Sequence, residues 1–438
     1  MGRLFGTDGV RGVAGVELTA DLARSLAAAA VAELAPTGPV VVGRDTRPSG
    51  EWLQDAVVDG LSSAGADVVL LGVIPTPAVA RALATGVPGV EGQPSFGVVI
   101  SASHNPAPDN GIKLFGAGGL KLGDDIEDRI QARLADPRPA AARPGVVAPA
   151  DDAAGAYAVA LLATLPHRLD GLRVVVDCAN GAAATVAHAA YAGAGADVVV
   201  VYDEVDGDRI NAGCGATHLE AIQAAVREHG ADVGIAHDGD ADRCLAVTAD
   251  GEVVDGDGIL AILAVDLHER GRLATDTIAA TVMSNLGLAN ALRPHGIAVV
   301  TTAVGDRYVT ERMRADGLTL GGEQSGHVIL AEHATTGDGI LTALHLLARV
   351  ASTGSSLATL ASIVQRLPQV LVNVPVLDRD VALTALRPLT EQVASELGTS
   401  GRVLVRPSGT EPLIRVMVEA PGDGQAAAIA ERLAAAIR

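Results

Sequence analysis

The chain has 438 residues, of which 49% are hydrophobic and only 2% aromatic, and a formal net charge of −20. This charge argues against a nucleic-acid or anionic-membrane partner, since both need a clustered basic surface. Three scattered cysteines fit neither a zinc site nor a disulfide framework. Without a signal peptide or a long apolar run, we expect a cytoplasmic protein.

Apolar strands alternate with alanine-rich helices along most of the chain, which predicts an α/β fold. Strands are expected at 39–42, 66–71, 172–176, 197–201, 277–282 and 297–301, and helices at 50–64, 157–165, 183–192, 258–267 and 285–292. A Pro- and Ala-rich stretch from 135 to 150 reads as a linker.

The last part of the chain, with strands predicted at 370–374, 402–405 and 414–418 and a final helix, is typical of a small α+β domain. We therefore predict three similar α/β domains with mixed or parallel sheets at 1–150, 151–254 and 255–366. A smaller C-terminal domain at 367–438 completes the fold around a central cleft.

The first group of reactive residues follows the buried strand Val98-Val99-Ile100, in the run Ser101-Ala102-Ser103-His104-Asn105-Pro106. Ligands of open α/β sheets bind where strands end, which favours a functional role for Ser103. Taken alone, the run equally fits a turn in which a hydroxyl satisfies the backbone. Lys113 and, in an N-terminal glycine loop, Arg11 are candidate charged groups for the same site.

Three carboxylates alternate in Asp238-Gly239-Asp240-Ala241-Asp242-Arg243, directly after an apolar strand. Alternate residues of an extended loop point to the same side, so these carboxylates can converge on one hard cation such as Mg²⁺. Two other Asp-Gly-Asp sequences, at 206–208 and 255–257, lack the third carboxylate and are typical of solvated turns.

Two further polar loops favour ligand binding. Gly321-Gly322-Glu323-Gln324-Ser325-Gly326-His327 joins groups that hydrogen-bond to a polyol, although His327 also fits an ordinary loop histidine. The turn Arg406-Pro407-Ser408-Gly409-Thr410-Glu411-Pro412, with Arg415 beyond it, combines a guanidinium, two hydroxyls and a glycine. This combination is typical of an anion site.

Together these loops, which span nearly the whole chain in order, resemble the α-D-phosphohexomutase superfamily. The N-terminal run from Arg3 to Gly12, Gln324, and Val304-Gly305-Asp306-Arg307-Tyr308 are similar to the branch that acts on glucosamine phosphates. That branch interconverts glucosamine 6-phosphate and glucosamine 1-phosphate through a phosphoserine and glucosamine 1,6-bisphosphate. Its product feeds UDP-N-acetylglucosamine and cell-wall synthesis.

The resemblance implies a role for each candidate residue. Ser103 would be the phosphoserine, and would share one Mg²⁺ with Asp238, Asp240 and Asp242. Lys113, Arg11 and His327 would be catalytic. The substrate would contact Arg243, Glu323, Ser325, His327, Arg406, Ser408, Gly409, Thr410 and Arg415. A hexosamine phosphate would be the small-molecule partner, with a homodimer possible in this family.

Three alternatives stay open on the sequence alone. The nearest is a phosphomannomutase or phosphoglucomutase of the same superfamily. A serine hydrolase that uses Ser103 and His104 is disfavoured because the serine lacks a Gly-x-Ser-x-Gly elbow. A sugar-phosphate sensor on the same fold has no need to keep a phosphorylatable serine together with a metal site.

Overall fold

The computed structural model describes residues 3–6, 8–135, 141–408 and 412–438. The chain divides into two compact units, one of Met1–Val282 with Val299–Ala361 and one of Met283–Ala298 with Ser362–Arg438. Among the described residues, no helix combines the length and the apolar character needed to cross a membrane.

The first sheet places Lys113 and Arg11 on neighbouring strands and Ser103 just beyond the end of a third. Its strands are β1 (Val10–Val13), β2 (Val40–Arg44), β3 (Val68–Val73), β4 (Phe96–Ile100), β5 (Asp109–Gly116), β6 (Leu120–Lys121) and β7 (Val147–Pro149). Its helices are α1 (Ala20–Leu34), α2 (Ser49–Ser63), α3 (Thr76–Thr85) and α4 (Asp124–Arg133). The strand order is β1-β5-β4-β2-β3-β7, with β6 paired to β5. Ser103 follows β4, and β5 lies antiparallel between β4 and β1.

The predicted linker is partly wrong. Val147–Pro149 forms β7, which pairs in parallel with β3 at the edge of the sheet. All three residues of β7 are exposed, so no alternation of apolar and polar side chains marks the strand in the sequence. The linker residues 136–140 lie outside the described residues.

The second sheet has the order β12-β11-β10-β8-β9. Its elements are α5 (Ala153–Leu162), β8 (Arg173–Asp177), α6 (Ala187–Gly193), β9 (Asp197–Val201), α7 (Leu219–His229), β10 (Val233–Ala236), β11 (Leu245–Thr248) and β12 (Val253–Val254). The helix expected at 183–192 begins as a 3₁₀ turn, Ala182–Thr185, and α6 is shorter than predicted. The buried strand β10 delivers the chain directly into the acidic loop.

The third sheet has the order β14-β13-β15-β16. The elements of this part of the chain are α8 (Gly256–Glu269), β13 (Thr277–Thr281), α9 (Leu286–Leu292), β14 (Ala298–Thr302), α10 (Asp306–Asp316), β15 (Leu320–Gly322), β16 (Val328–Leu330), α11 (Gly339–Thr353) and α12 (Leu357–Ala361). Of these, α9 belongs to the second compact unit. β15 and β16 form an antiparallel pair whose connection carries residues 323–327.

The second compact unit is a small α+β layer. Its sheet has the order β17-β19-β18, formed by β17 (Gln369–Pro375), β18 (Arg402–Pro407) and β19 (Leu413–Glu419). Helices α13 (Arg379–Leu397) and α14 (Asp423–Ala435) contribute to its aliphatic core, which includes Val374, Leu386 and Ile414. The fold class predicted from the sequence, three α/β domains and a smaller α+β domain, is therefore confirmed.

Candidate active site

Ser103 lies at the end of β4 in a backbone conformation that serine rarely adopts, with φ of 53°. The residue is 1% exposed. Its Oγ donates a hydrogen bond to Asp238 Oδ2 at 2.6 Å and lies 3.2 Å from His104 Nδ1. Burial lowers the pKa of His104 to about 4, with Arg243 and Arg11 adding to the shift. The hydroxyl is therefore aimed at the acidic loop.

The three alternating carboxylates converge. Asp238, Asp240 and Asp242 are buried, and each offers an oxygen within 4.8 Å of the others. Ala241, between two of them, has φ of 58°, so the loop is not simply extended. Asp240 Oδ1 and Asp242 Oδ1 are buried and accept no hydrogen bond from any described residue. Two buried carboxylate oxygens without a hydrogen-bond donor fit a hard divalent cation such as Mg²⁺.

The electrostatics of the cluster support this fit. Burial raises the pKa of Asp238 to about 7, and the neighbouring Asp242 and Asp240 contribute. Burial also opposes ionisation of Asp242, but His327, Lys113 and Arg243 outweigh it and hold the pKa of that carboxyl below its usual range. Such close like charges repel each other unless a cation lies among them.

Lys113, on β5, is a buried cation between two carboxylates. Its Nζ lies 2.7 Å from Asp240 Oδ2 and 2.8 Å from Asp8 Oδ2. Burial opposes protonation, but Asp240 and Asp8 raise the pKa of the ammonium group above its usual range. Lys113 thus carries a fixed positive charge beside the acidic loop.

Three residues that were not proposed as site residues from the sequence extend this charge network. Lys121 Nζ contacts Asp8 Oδ1 at 2.5 Å and also pairs with Asp306. Asp8 and Asp306 lie inside motifs that are recognisable in the sequence. Lys121 belongs to no motif, and only the pairing of β6 with β5 brings it here.

His327 lies between two carboxylates of this network, Asp242 and Asp306. Its Nδ1 lies 3.6 Å from Asp242 Oδ2, and its Nε2 lies 3.5 Å from Asp306 Oδ2. Gly337 N–H donates to Nε2 at 2.9 Å, which leaves Nδ1 directed at the acidic loop. His327 therefore lies within the charge network and is not an isolated loop histidine.

A cavity of about 410 Å³ opens over Ser103. Arg11, Arg243 and Glu323 line it, and Arg243 Nε lies 3.7 Å from Asp238 Oδ2. Glu323 Oε1 accepts a hydrogen bond from Gly305 N–H at 3.1 Å. Ser325 is not among the described residues that line this cavity. A second cavity, of about 440 Å³, lies between α3 and α5, and both aliphatic and polar residues line it.

The predicted phosphate loop belongs to the second compact unit. Arg406 and Arg415 face each other across β18 and β19, and burial together with Arg415 lowers the pKa of Arg406. The Ser408 carbonyl accepts a hydrogen bond from Arg379 Nη1 at 2.6 Å. Gly409 and Thr410 lie outside the described residues. Two adjacent guanidinium groups suit an anionic ligand.

Fold and site define a class of protein: the chain is a phosphohexomutase, an isomerase that acts on sugar phosphates. It belongs to the phosphoglucomutase/phosphomannomutase family. The family's alpha/beta/alpha domains I, II and III match residues 2–140, 156–251 and 255–367, and its C-terminal domain matches residues 371–436.

Among curated relatives, the phosphoglucosamine mutase of Frankia casuarinae is 60% identical, over 100% of this chain and 98% of its own length. A Burkholderia thailandensis protein of the phosphoglucomutase/phosphomannomutase family has a solved structure with a TM-score of 0.87. It is 28% identical, with 99% of this chain and 96% of that chain covered. Aspergillus fumigatus N-acetylphosphoglucosamine mutase shares the fold, at 19% identity and a TM-score of 0.63, over 92% of this chain and 83% of that one.

Proposed function

We propose that this enzyme interconverts glucosamine 6-phosphate and glucosamine 1-phosphate, with Ser103 as the phosphoryl carrier. The observation that carries the proposal is the 2.6 Å hydrogen bond from Ser103 Oγ into a buried cluster of three carboxylates. The relatives at 56–60% identity over the whole chain are named phosphoglucosamine mutases, which supports the amino sugar as substrate.

Asp238, Asp240 and Asp242 would hold one Mg²⁺ together with an oxygen of the phosphorylated Ser103. When bound, this ion supplies charge neutralisation for the phosphoryl group. The solved A. fumigatus enzyme is a complex with GlcNAc-6P and magnesium, which supports the same pairing of ligand and ion here.

The reaction balances as two phosphoryl transfers. The P–Oγ bond of phosphoserine breaks as a bond forms from phosphorus to the O1 of glucosamine 6-phosphate; O1 gives up its hydroxyl proton and Oγ takes one up. The 1,6-bisphosphate then turns around, its P–O6 bond breaks, and the phosphoryl group returns to Oγ, which gives up its proton while O6 takes one up. Glucosamine 1-phosphate leaves, and the phosphoserine is restored.

Each remaining candidate residue has a role in these transfers. The fixed charge of Lys113, with Arg11 and Arg243, would stabilise the negative charge of the moving group. His327 stays the candidate for proton transfer. Glu323, Ser325 and His327 would contact the sugar. The phosphate that is not reacting would be held by Arg406, Ser408, Gly409, Thr410 and Arg415.

The product would feed UDP-N-acetylglucosamine and cell-wall synthesis. The enzyme would act in a bacterial cytoplasm, where the buried cysteines Cys178, Cys214 and Cys244 stay reduced. We propose a homodimer as the working assembly on the family resemblance alone.

Intact-protein mass spectrometry of the wild type and Ser103→Ala, together with a mutase assay, tests the proposal. We expect a phosphate mass on the wild type only, and loss of turnover in the variant. A phosphate that persists on Ser103→Ala, or surviving activity, would refute the role of Ser103. Turnover of mannose or glucose 6-phosphate equal to that of glucosamine 6-phosphate would favour the other substrates of the family.

A further inference from the structure

Arg47 lies between β2 and α2, and every N–H of its guanidinium group donates a hydrogen bond to a protein oxygen. The side chain has 0% exposure. Nε–H donates to Asp45 Oδ2 at 2.9 Å. The four other N–H groups donate to the backbone carbonyls of Ser103, Asn105, Pro106 and Asp109. Since guanidinium has five N–H donors, none is left for any other partner.

The Asp45 carboxylate is also linked to the backbone N–H of Ser103, through the Ser101 hydroxyl. Asp45 Oδ2 accepts a hydrogen bond from Ser101 Oγ–H at 2.6 Å. Ser101 Oγ in turn accepts one from Ser103 N–H at 2.9 Å. The carbonyl of Ser103 is bound by Arg47 and its amide is bound through Ser101, so both peptide groups of the serine are fixed.

This double anchorage explains how Ser103 keeps a left-handed backbone. A non-glycine residue in that region carries a strain of about 1–3 kcal/mol and persists only where its surroundings impose it. Asn211 Nδ2 adds further hydrogen bonds to the Ser103 and Asn105 carbonyls, at 2.9 and 3.1 Å. The resulting conformation is the one that aims Oγ at Asp238.

We propose that Arg47 is a positioning residue for phosphoryl transfer, which acts by holding the backbone of Ser103 in the strained conformation and touches no substrate. The inference depends on the proposed role of Ser103 as phosphoryl carrier. Buried arginines often serve stability alone. Here, however, all four carbonyl partners belong to the segment from Ser103 to Asp109, so the contacts control one loop.

Arg44 provides a matched control three residues earlier. Its guanidinium pairs with Glu51 at 3.3 Å and contacts the Asp45 carbonyl, but bonds to none of the four carbonyls that Arg47 holds. Arg44→Lys and Arg47→Lys therefore make the same chemical change at neighbouring positions. Lysine keeps the charge but has three donors on one nitrogen, and cannot span four carbonyls.

The experiment measures kcat and KM for glucosamine 6-phosphate, with the rate divided by the folded enzyme determined from urea unfolding. The phosphoserine ³¹P NMR signal is recorded after priming with glucose 1,6-bisphosphate. We expect Arg47→Lys to lower kcat on the order of 10- to 100-fold, to leave KM within about twofold and to shift or broaden the signal. Arg44→Lys is expected to change neither kcat nor the signal.

Ser101→Ala keeps the proposal testable if Arg47→Lys does not fold, because it removes only the link from Asp45 to the Ser103 amide. It is expected to lower kcat in the same direction by about tenfold. Unchanged kcat per folded enzyme in either folded variant would overturn the positioning role. Absence of phosphoserine and turnover in the wild type would instead refute the proposed function itself.

Discussion

The loop at 238–242 and the turn at 255–257 begin with the same three residues, Asp-Gly-Asp, and have different tasks. In the first, all three carboxylates of the loop are buried and converge within 4.8 Å. In the second, Asp255 Oδ1 accepts hydrogen bonds from Asp257 N–H and Gly258 N–H and caps α8. Identical tripeptides therefore contribute to a buried cluster of carboxylates in one place and to a helix start in the other.

The residues that follow the tripeptide account for this difference. After Asp240, Ala241 takes a left-handed conformation and Asp242 supplies the third carboxylate. Gly256 and Asp257, by contrast, already belong to α8, a helix whose residues are almost all buried. A carboxylate at the beginning of a helix stabilises free N–H groups, and needs no cation for this.

In both regions the glycine of the tripeptide allows another segment of backbone to pack closely against it. A Cβ on Gly239 would lie 2.6 Å from the Ser103 carbonyl oxygen, and one on Gly256 would lie 2.1 Å from that of Glu323. Each tripeptide thus packs against a different loop. The one at 238–240 contacts the serine loop, and the one at 255–257 contacts the residues proposed to bind the sugar.

Asp240→Asn, with Asp257→Asn as its control, tests the difference between the two regions and has the largest expected effect. Both carboxyl groups are buried, and asparagine keeps their shape. We expect Asp240→Asn to weaken Mg²⁺ binding and lower kcat by on the order of 10² or more, since even groups that only support a ligand cost 10- to 100-fold. Calorimetric Mg²⁺ titration and the mutase assay measure the two effects.

Asp257→Asn is expected to bind Mg²⁺ as the wild type does. Equal losses of Mg²⁺ affinity in the two variants would mean that the third carboxylate does not define the cation site.

Much of this site was predictable because its residues sit in contiguous motifs. The alternation of three carboxylates distinguishes 238–242 from the Asp-Gly-Asp sequences at 206–208 and 255–257. The strand before Ser103 is recognisable from its run of apolar residues. Arg47 and Lys121 were not predictable. Apart from Asp45, which Arg47 also contacts, their partners lie 56 or more residues away along the chain, and only strand order brings them together. The sequence does not predict β7, because this strand at the sheet edge is exposed and has no apolar pattern.

Two glycine substitutions test by steady-state kinetics whether the two regions affect different steps. Gly239→Ala is expected to displace the serine loop and lower kcat by about 10²-fold, because small misplacements of a reacting group are costly. Gly256→Ala is expected to displace residues 323–326 and mainly raise KM, by about tenfold. Steady-state kinetics on folded samples separates the two. If both variants changed only KM, the contact of Gly239 with the serine loop would not matter for transfer.

A smaller effect is expected for Asp255→Ala, which removes the cap of α8. Loss of such a cap costs about 1 kcal/mol of stability. Turnover should stay within about twofold of the wild type. Urea unfolding measures the free energy, and Asp255→Asn, which keeps a capping oxygen, serves as control. A drop in Mg²⁺ affinity in Asp255→Ala would contradict the assignment of this region as a helix start.

The smallest effect is expected at the third Asp-Gly-Asp sequence, 206–208. Asp206 is exposed, accepts a hydrogen bond from Asp208 N–H at 3.3 Å and lies 3.7 Å from Arg209 Nε. Contacts of this kind at the surface contribute little, so Asp206→Ala should change the unfolding free energy by no more than about 0.5 kcal/mol. Kinetics and Mg²⁺ titration should match the wild type. Reduced turnover would locate a functional role in this turn through Gly207, where a Cβ would lie 1.9 Å from the Thr46 carbonyl oxygen, next to Arg47.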